Sequence, residues 1–372
     1  MKVLVTGADG FIGRNLIQHL SVRADTEVLS FTRANVAGDL ASLVRVADFV
    51  VHLAGVNRPQ DPAEFVSGNV DLTAALADKV AGEAARTDRR LPVVYASSIQ
   101  AALDNPYGRS KLAAEQRLLS VGERGGVAVR ILRLPNVFGK WARPNYNSAV
   151  ATFCHNVSRG LPIEVRDPAA PLTLVYVDDV VRTIVAMLEG DLGADSYAAI
   201  DPQYIATVGE VAMLIRRFAD SRTTLLTERV GTGLVRALYA TYVSYLPPES
   251  FAYEIPRHAD PRGEFVEMLK TPDVGQFSFF TAHPGVTRGG HYHHSKTEKF
   301  LVIRGEARFR FRHVRTGEFH ELLTSGAKPM IVETVPGWTH DITNVGSGEL
   351  VVMLWANEIF DRDRPDTIAC PV

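Results

Sequence analysis

The feature that most constrains the fold of this chain is an alternation of short apolar runs and longer helix-like runs over residues 1–245. Short strands that alternate with amphipathic helices indicate βαβ units, and therefore an α/β, Rossmann-like, doubly wound parallel sheet. The predicted strands are 2–6, 27–32, 49–53, 93–97, 128–134 and a shorter run at 163–165. The predicted helices include 11–20, 70–83 and 108–119.

The pattern changes near residue 245. Beyond Leu246-Pro247-Pro248, β-type runs are bounded by glycine and proline and no long helical run separates them. That pattern is typical of an antiparallel sandwich or barrel. The runs are 275–282, 299–303, 307–313, 330–335 and 349–355. We therefore expect a domain over 1–245, a linker over 246–256, and an all-β domain over 257–372.

Composition excludes several classes of protein. The formal net charge of −2 provides no basic field for nucleic acid. Two cysteines are too few for a disulfide scaffold or a cysteine-based zinc finger. No apolar stretch approaches the length of a membrane span, and the run 2–7 is too short for a signal-peptide core. We expect a cytoplasmic protein with neither a membrane nor a nucleic-acid partner.

A glycine motif connects the first predicted strand to the first predicted helix. Gly7, Gly10 and Gly13 have the spacing GxxGxxG. Glycine permits a tight turn there, lets backbone N–H groups approach a diphosphate, and allows the helix to pack on the strand. Glycines also make ordinary turns, but this strand–helix context is the one that dinucleotide binding requires. The motif predicts a dinucleotide site.

The end of the second predicted strand bears on the choice of cofactor. Sites specific for NAD usually place an acidic residue there, whereas an arginine can meet the 2′-phosphate of NADP. The chain has Phe31-Thr32-Arg33 and no acidic residue at this point. The pattern favours NADPH, with Arg33 at the phosphate. The alternative is that Arg33 is a solvated loop residue.

Tyr107 and Lys111 are four residues apart and would share one face of a helix. A nearby ammonium favours the phenolate, so we expect Lys111 to lower the tyrosine pKa. Tyr107 could then give a proton to an alkoxide as hydride arrives at carbon. Ser98, at the end of the preceding strand, could polarise the carbonyl. The alternative for an isolated YxxxK sequence is a surface turn.

These residues resemble the extended short-chain dehydrogenase/reductase family, and segments 50–55, 133–139 and 176–180 extend the similarity. In that family the matching serine, tyrosine and lysine are the catalytic triad, and the usual substrates are nucleotide-linked sugars. The resemblance places Asn136 near the nicotinamide and the sugar-nucleotide phosphates. It implies cofactor contacts from Gly7, Gly10, Phe11, Ile12, Gly13, Arg33, Leu53, Ala54 and Lys111.

One departure narrows the chemistry within that family. Members that are sugar-nucleotide 4,6-dehydratases carry an acidic pair just after the catalytic serine or threonine. Here Ile99-Gln100 occupies that place, and neither side chain can act as an acid or a base. Dehydration is therefore disfavoured, and reduction of a ketone or epimerisation remains.

Histidines are concentrated in the second half, where eight of the 11 fall between residues 258 and 372. Three imidazoles and a carboxylate suit a divalent metal. We predict a metal site, with zinc the first choice because nothing there demands redox chemistry. The predicted ligands, whose spacing resembles the two cupin motifs, are His291, His293, Glu298 and His340. The segment Val335-Pro336-Gly337 departs from the second cupin motif, because its proline is adjacent to the glycine instead of two residues before it. The alternative is a cupin that has lost its metal.

Two further segments, 260–265 and 288–292, resemble motifs of dTDP-sugar 3,5-epimerases. The resemblance would make His291 a base, which conflicts with its role as a ligand because a coordinated lone pair cannot take a proton. We favour ligation, so the base is unassigned, with His294 and Lys296 as candidates.

Nearly end to end, the chain resembles the CapF/WbjC-type family of bifunctional capsular-polysaccharide enzymes, and segments 144–148 and 242–247 are among the specific matches. The resemblance implies a UDP-linked 4-keto-6-deoxy-N-acetylhexosamine substrate, epimerisation at C3 and then reduction at C4. The implied product is UDP-2-acetamido-2,6-dideoxy-L-talose. It also implies substrate contacts from Asn136, Asn145 and Asn147, and a homodimer.

Two alternatives for the second domain stay open. The cupin could be a structural or dimerisation module, which would leave a single-function NADPH-dependent reductase. It could also be a metal dioxygenase, although sugar-nucleotide machinery in the same chain disfavours that.

Overall fold

The computed structural model describes residues 1–372 except Asp88, Gly126, Asp191, Gly193, Ala194, Ala252, Arg257, His294, Ser295, Arg315, Pro329, 335–337 and Arg364. By its contacts the chain divides into two compact units, which are described separately. The first contains Met1–Ile215 and Ala237–Leu246, and the second contains Arg216–Arg236 and Pro247–Val372.

The first unit is built from alternating strands and helices. In chain order they are β1 (Lys2–Thr6), α1 (Phe11–Leu20), β2 (Glu27–Phe31), α2 (Ala37–Val46), β3 (Phe49–His52), α3 (Leu72–Thr87), β4 (Val93–Ser98), α4 (Pro106–Gly125), β5 (Val129–Leu134), β6 (Asn136–Phe138), α5 (Ala149–Val157), β7 (Pro171–Tyr176), α6 (Val177–Leu188), β8 (Tyr197–Ala198), β9 (Tyr204–Thr207), α7 (Val208–Thr224) and α8 (Gly233–Ser244). A π-helical segment, Val66–Asp71, precedes α3.

The main sheet has the order β2-β1-β3-β4-β5-β8, and its paired strands are parallel. β1 shows why both faces are covered. Val3 and Val5 pack into one apolar core with α1 and α6, whereas Leu4 packs into a second core with α2, α3 and α4. A sheet buried on both faces needs continuous apolar strands, which is the pattern the sequence shows.

The strand predicted at 163–165 is wrong. Residues 163–165 carry no strand and are half-buried to exposed, so they lack the buried surface that a strand needs. The chain forms instead a small sheet of order β6-β7-β9. Its central strand has the sequence Pro-Leu-Thr-Leu-Val-Tyr, whose apolar residues reach the core at its end.

The second unit is all β apart from the residues contributed by α7 and α8 and a short 3₁₀ turn, Pro248–Ser250. Its strands are β10 (His258–Asp260), β11 (Gly263–Thr271), β12 (Gly275–Ala282), β13 (Thr287–Tyr292), β14 (Glu298–Arg304), β15 (Glu306–His313), β16 (Phe319–Ser325), β17 (Ile331–Glu333), β18 (Trp338–Asn344), β19 (Leu350–Ala356) and β20 (Ile368–Ala369). Residues 216–236 join this unit through backbone hydrogen bonds of 2.8 Å from Lys270 to Leu225 and from Thr227 to Lys270.

These strands form two antiparallel sheets, β10-β11-β12-β19-β14-β17 and β16-β15-β18-β13-β20. Both contribute to one apolar core, in which Phe300 meets Phe309 edge-on with ring centroids 5.8 Å apart. The predicted fold class, an α/β parallel-sheet unit followed by an all-β antiparallel unit, is confirmed.

Within the described part of the chain, no helix has the length and apolar character needed to cross a membrane. The cytoplasmic location stays a prediction.

Candidate functional site

The turn between β1 and α1 is a site of close backbone approach. Gly7 has φ +68°, in the left-handed region, and a Cβ built there would lie 2.7 Å from the Ala54 nitrogen. A Cβ on Gly13 would lie 2.3 Å from the carbonyl oxygen of Gly7. No side chain fits at either position without moving backbone. The turn therefore presents bare backbone in front of the α1 N-terminus.

A cleft of about 510 Å³ opens at this turn. β1 lies between β2 and β3 in the sheet, so the strand order reverses direction at β1. Doubly wound sheets bind their ligands at such a switch point. The cleft is lined by most of the residues predicted for the first site: Gly7, Gly10, Phe11, Ile12, Gly13, Arg33, Leu53, Ser98, Tyr107, Lys111, Asn136 and Asn147.

Two predicted residues, Ala54 and Asn145, are not among the lining residues. The Ala54 N–H points to the Thr6 hydroxyl, 3.3 Å away. Asn145 has φ +54° and donates its backbone N–H to the Thr152 hydroxyl at 2.9 Å, so it shapes the loop beside the cleft.

Lys111 is buried on the first half of α4. Its ammonium donates to the Ala96 carbonyl oxygen at 2.7 Å and lies 4.4 Å from the centre of the Tyr95 ring. Burial lowers the pKa of Lys111 to about 7, and the nearby carboxylate of Glu115 opposes that effect.

The expectation that Lys111 lowers the pKa of Tyr107 is wrong in this structure. Burial raises the pKa of Tyr107, and a hydrogen bond with Ser98 only partly opposes the rise. At neutral pH Tyr107 is therefore a protonated phenol that can give up a proton.

Two polar residues near this pair, Asn69 and Glu115, were not predicted from the sequence. Asn69 lines the cleft from the π-helical segment and donates its amide to the Ser110 hydroxyl at 2.9 Å. Nothing in the spacing indicates it, because its partner is 41 residues away. Glu115 is wholly buried and follows Lys111 by four residues on α4, so helical spacing could have revealed it.

The four residues predicted as metal ligands come together in the second unit. One potential ligand atom from each of them lies within 4.8 Å of the others. His293 Nε2 is 3.1 Å from a Glu298 oxygen, and His340 Nε2 is 3.5 Å from the same oxygen. The ring centroids of His291 and His340 are 4.7 Å apart. Three different strands and a loop are needed to assemble this cluster.

The chemistry of this cluster fits a divalent cation. Both ring nitrogens of His340 are buried and have no hydrogen-bond partner among the described residues, although Nε2 lies 3.5 Å from a Glu298 oxygen. Burial, together with the other imidazoles, lowers the pKa of His291 to about 4, so this ring is neutral at pH 7 and keeps a lone pair. Burial would raise the pKa of Glu298, but the neighbouring His293 and His340 outweigh it, and its pKa is well below the ordinary value.

A cavity of about 160 Å³ opens beside the cluster, with His291, Glu298 and His340 in its wall. The rest of the lining is mainly apolar, with Arg288 and Asp341 as further charged residues. Of the two candidate bases, Lys296 is buried, donates to the Thr367 hydroxyl at 3.0 Å, and is not among the described lining residues. The other candidate, His294, and the segment 335–337 lie outside the described residues.

Residues 3–198, more than half of the chain, match the NAD dependent epimerase/dehydratase family. The chain belongs to this family. Membership implies a nicotinamide cofactor, for which the cleft in the first unit offers the glycine turn. Residues 258–368 match the polysaccharide biosynthesis C-terminal domain.

Three similar proteins cover large parts of the chain. It is 61% identical, over 100% of its length and 99% of the other protein, to the UDP-2-acetamido-2,6-beta-L-arabino-hexul-4-ose reductase of Pseudomonas aeruginosa. The crystal structure of capsular polysaccharide assembling protein CapF from Staphylococcus aureus matches 100% of both chains with 41% identity and a TM-score of 0.91. The resemblance to the CapF/WbjC-type family is thereby confirmed.

A UDP-glucuronic acid 4-epimerase from Bacillus cereus, solved in complex with NAD, matches 66% of this chain and 98% of that chain. Its identity is 19% and the TM-score is 0.56, so this match shows a shared fold alone.

Proposed function

We propose that this chain performs two consecutive reactions on one sugar nucleotide. The second unit epimerises C3 of a UDP-2-acetamido-2,6-dideoxy-4-hexulose, and the first unit then reduces the C4 ketone with NADPH. The product would be UDP-2-acetamido-2,6-dideoxy-L-talose, on the route to UDP-N-acetyl-L-fucosamine for capsule or O-antigen polysaccharide. The observation that carries the proposal is the presence of two separate sites, the cleft around Tyr107 and the cavity beside His340. The 61% identical reductase supports the substrate class.

In the reductase site, a bound NADPH would supply the hydride that adds to C4. The Tyr107 hydroxyl gives its proton to the C4 oxygen as charge develops there, and Ser98 can hydrogen-bond the same oxygen. Burial keeps Tyr107 protonated at neutral pH, so the proton is available. Lys111 lines the same cleft, where its side-chain nitrogen donates to the Ala96 carbonyl oxygen at 2.7 Å.

The choice of NADPH over NADH is supported by the end of β2. Arg33 lines the cleft there and is exposed, and no acidic residue follows the strand. An arginine at this position can meet a 2′-phosphate, whereas a carboxylate would be needed to hold a ribose hydroxyl.

In the epimerase site, the C4 ketone acidifies the proton on C3, so a base can remove that proton and return it on the other face. His291, His293, Glu298 and His340 would hold a divalent cation, for which we propose zinc. Bound there, the cation supplies Lewis-acid stabilisation of negative charge on a substrate oxygen. Arg288 adds a fixed positive charge to the same cavity wall. The base itself is unassigned.

The chemistry fixes the order of the two reactions. Reduction converts the C4 ketone to an alcohol and removes the acidity of the C3 proton. Epimerisation must therefore come first.

The second candidate function is a single-function reductase whose all-β unit is structural. One observation favours it: the name of the 61% identical relative describes a reductase and mentions no epimerisation. The two candidates differ in one outcome, because only the bifunctional enzyme exchanges the C3 proton with solvent. The homodimer expected from the resemblance also stays a prediction.

A Tyr107→Phe variant tests the division of labour. We expect NADPH oxidation to fall by about 10²–10⁴-fold, since a general acid contributes that much. Solvent-deuterium incorporation at C3 of the 4-ketosugar should continue, because Tyr107 belongs to the other site. Absorbance at 340 nm and NMR of the sugar follow the two reactions.

Tyr253→Phe is the matched control, because Tyr253 is half exposed and lies in the second unit. It should leave both reactions unchanged. Loss of C3 exchange in a folded Tyr107→Phe variant would contradict the assignment of the two reactions to two sites.

A further inference from the structure

A C-terminal segment, residues 366–370, lies against the strands that carry the histidine cluster. Its strand β20 pairs with β13, so that Ala369 is opposite His291. The Cys370 N–H donates to the Gly290 carbonyl at 2.8 Å, and the Thr339 hydroxyl donates to the Cys370 carbonyl. Gly290 and Thr339 are the immediate neighbours of two cluster histidines. The segment therefore fixes both backbones beside the cluster.

The same segment determines which ring nitrogen of His293 is available to bind a cation. His293 Nδ1 is hydrogen-bonded to the backbone carbonyl oxygen of Asp366. A carbonyl oxygen only accepts hydrogen bonds, so Nδ1 must carry a proton, which leaves Nε2, 3.1 Å from a Glu298 oxygen, as the ring nitrogen that faces the cluster. This is the arrangement by which a neighbouring acceptor orients a metal-binding imidazole.

The loop that leads to Glu298 is tied to the segment as well. The Lys296 backbone N–H donates to the Asp366 carboxylate at 2.8 Å, and its ammonium donates to the Thr367 hydroxyl at 3.0 Å. Lys296 lies two residues before Glu298. One short segment, distant in sequence, thus contacts the surroundings of all four donors.

We propose that residues 366–370 are a positioning segment of the metal site. None of them belongs to the four-residue cluster or to the described lining of the cavity. They act by holding His291 and His293 in the geometry and tautomer that bind the cation. The proposal rests on the metal site of the proposed function. If the segment were only an edge strand, disrupting it would lower the stability of the fold without a specific loss of metal affinity.

The test compares Cys370→Pro with Cys370→Ser in the full chain. Proline removes the N–H that donates to Gly290, whereas serine keeps it. We measure Zn²⁺ affinity by competition with a chromogenic chelator, and the visible spectrum of the Co²⁺-loaded proteins. The proline variant should bind Zn²⁺ about 10–100-fold more weakly, which is the usual effect of losing an outer-shell partner. Its cobalt spectrum should change, and the serine variant should match the wild type in both.

Melting of the metal-free proteins and NADPH binding report whether the variants fold. If the proline variant does not fold, the pair Thr367→Val and Thr367→Ser decides. Valine removes the acceptor for Lys296 and should weaken Zn²⁺ binding by about fivefold, whereas serine should not.

The positioning role is overturned if Cys370→Pro and Cys370→Ser bind Zn²⁺ equally well, or, where the proline variant does not fold, if Thr367→Val and Thr367→Ser do. That result would leave the metal site itself intact. A wild-type chain that binds neither Zn²⁺ nor Co²⁺ would instead overturn the metal site of the proposed function.

Discussion

At the scale of single residues, the first unit buries a lysine and a glutamate one helical turn apart on α4, Lys111 and Glu115. Glu115 is wholly buried and accepts hydrogen bonds from Arg133 at 2.6 Å and from the Tyr197 hydroxyl at 3.1 Å. Its negative charge supports the Lys111 ammonium, but burial has the larger effect, and the lysine pKa falls from 10.5 to about 7. The folded protein therefore holds this lysine close to its titration point at neutral pH.

This pKa shift predicts a pH-dependent stability. Between pH 7 and 10.5 the unfolded chain carries a proton on Lys111 that the folded chain has lost. Stability rises with pH wherever the unfolded state binds more protons. Relative to Lys111→Met, the wild type should thus gain stability from pH 7 to pH 9.5, by at most about 1.4 kcal/mol per pH unit.

Thermal melts of both proteins at several pH values provide the measurement. Lys79→Met, which changes an exposed lysine on α3, is the control and should show no such trend. A constant difference between the wild type and Lys111→Met at all pH values would show that Lys111 keeps its ordinary pKa.

At the scale of elements, the turn from β1 to α1 is the place where we expect the cofactor to bind. Gly13→Ala should weaken NADPH binding at least about tenfold and lower the melting temperature, because its Cβ would lie 2.3 Å from the Gly7 carbonyl oxygen and 2.7 Å from that of Ala8. Fluorescence titration with NADPH measures the effect.

Gly38→Ala is the control, since Gly38 lies on α2 and nothing is within 4 Å of its added Cβ. It should leave NADPH binding unchanged and stabilise the helix by about 0.5–1 kcal/mol. Equal NADPH affinities for the two variants would contradict the close-approach role of Gly13.

Elements with a strong local pattern could be predicted from the sequence. The bounds of α1 and β12 agree with the predicted 11–20 and 275–282, because periodicity and flanking glycines are local signals. The spacing of Tyr107 and Lys111 likewise predicted that they share one face of a helix, and both line the cleft.

The contacts that could not be predicted join residues that are far apart in sequence. Asn69 reaches Ser110, and Asp366 reaches His293 across 73 residues, so neither contact leaves a periodic trace.

At the scale of the whole molecule, two sites with complementary chemistry share one chain. One site offers a proton donor beside a nucleotide cleft, and the other offers four ligand atoms beside a mainly apolar cavity. The proposed 4-ketosugar substrate would use both sites, because the ketone that permits epimerisation is the group that reduction removes. The proposed pair of reactions would give the second, all-β unit a function on the same substrate as the first unit.

The most direct test is to incubate the full chain with NADPH and UDP-2-acetamido-2,6-dideoxy-4-hexulose in D₂O, and to determine the product by NMR. We expect a C4 alcohol with deuterium at C3 and inverted C3 configuration. A C4 alcohol that keeps protium and the starting configuration at C3 would contradict the bifunctional account and leave a single-function reductase.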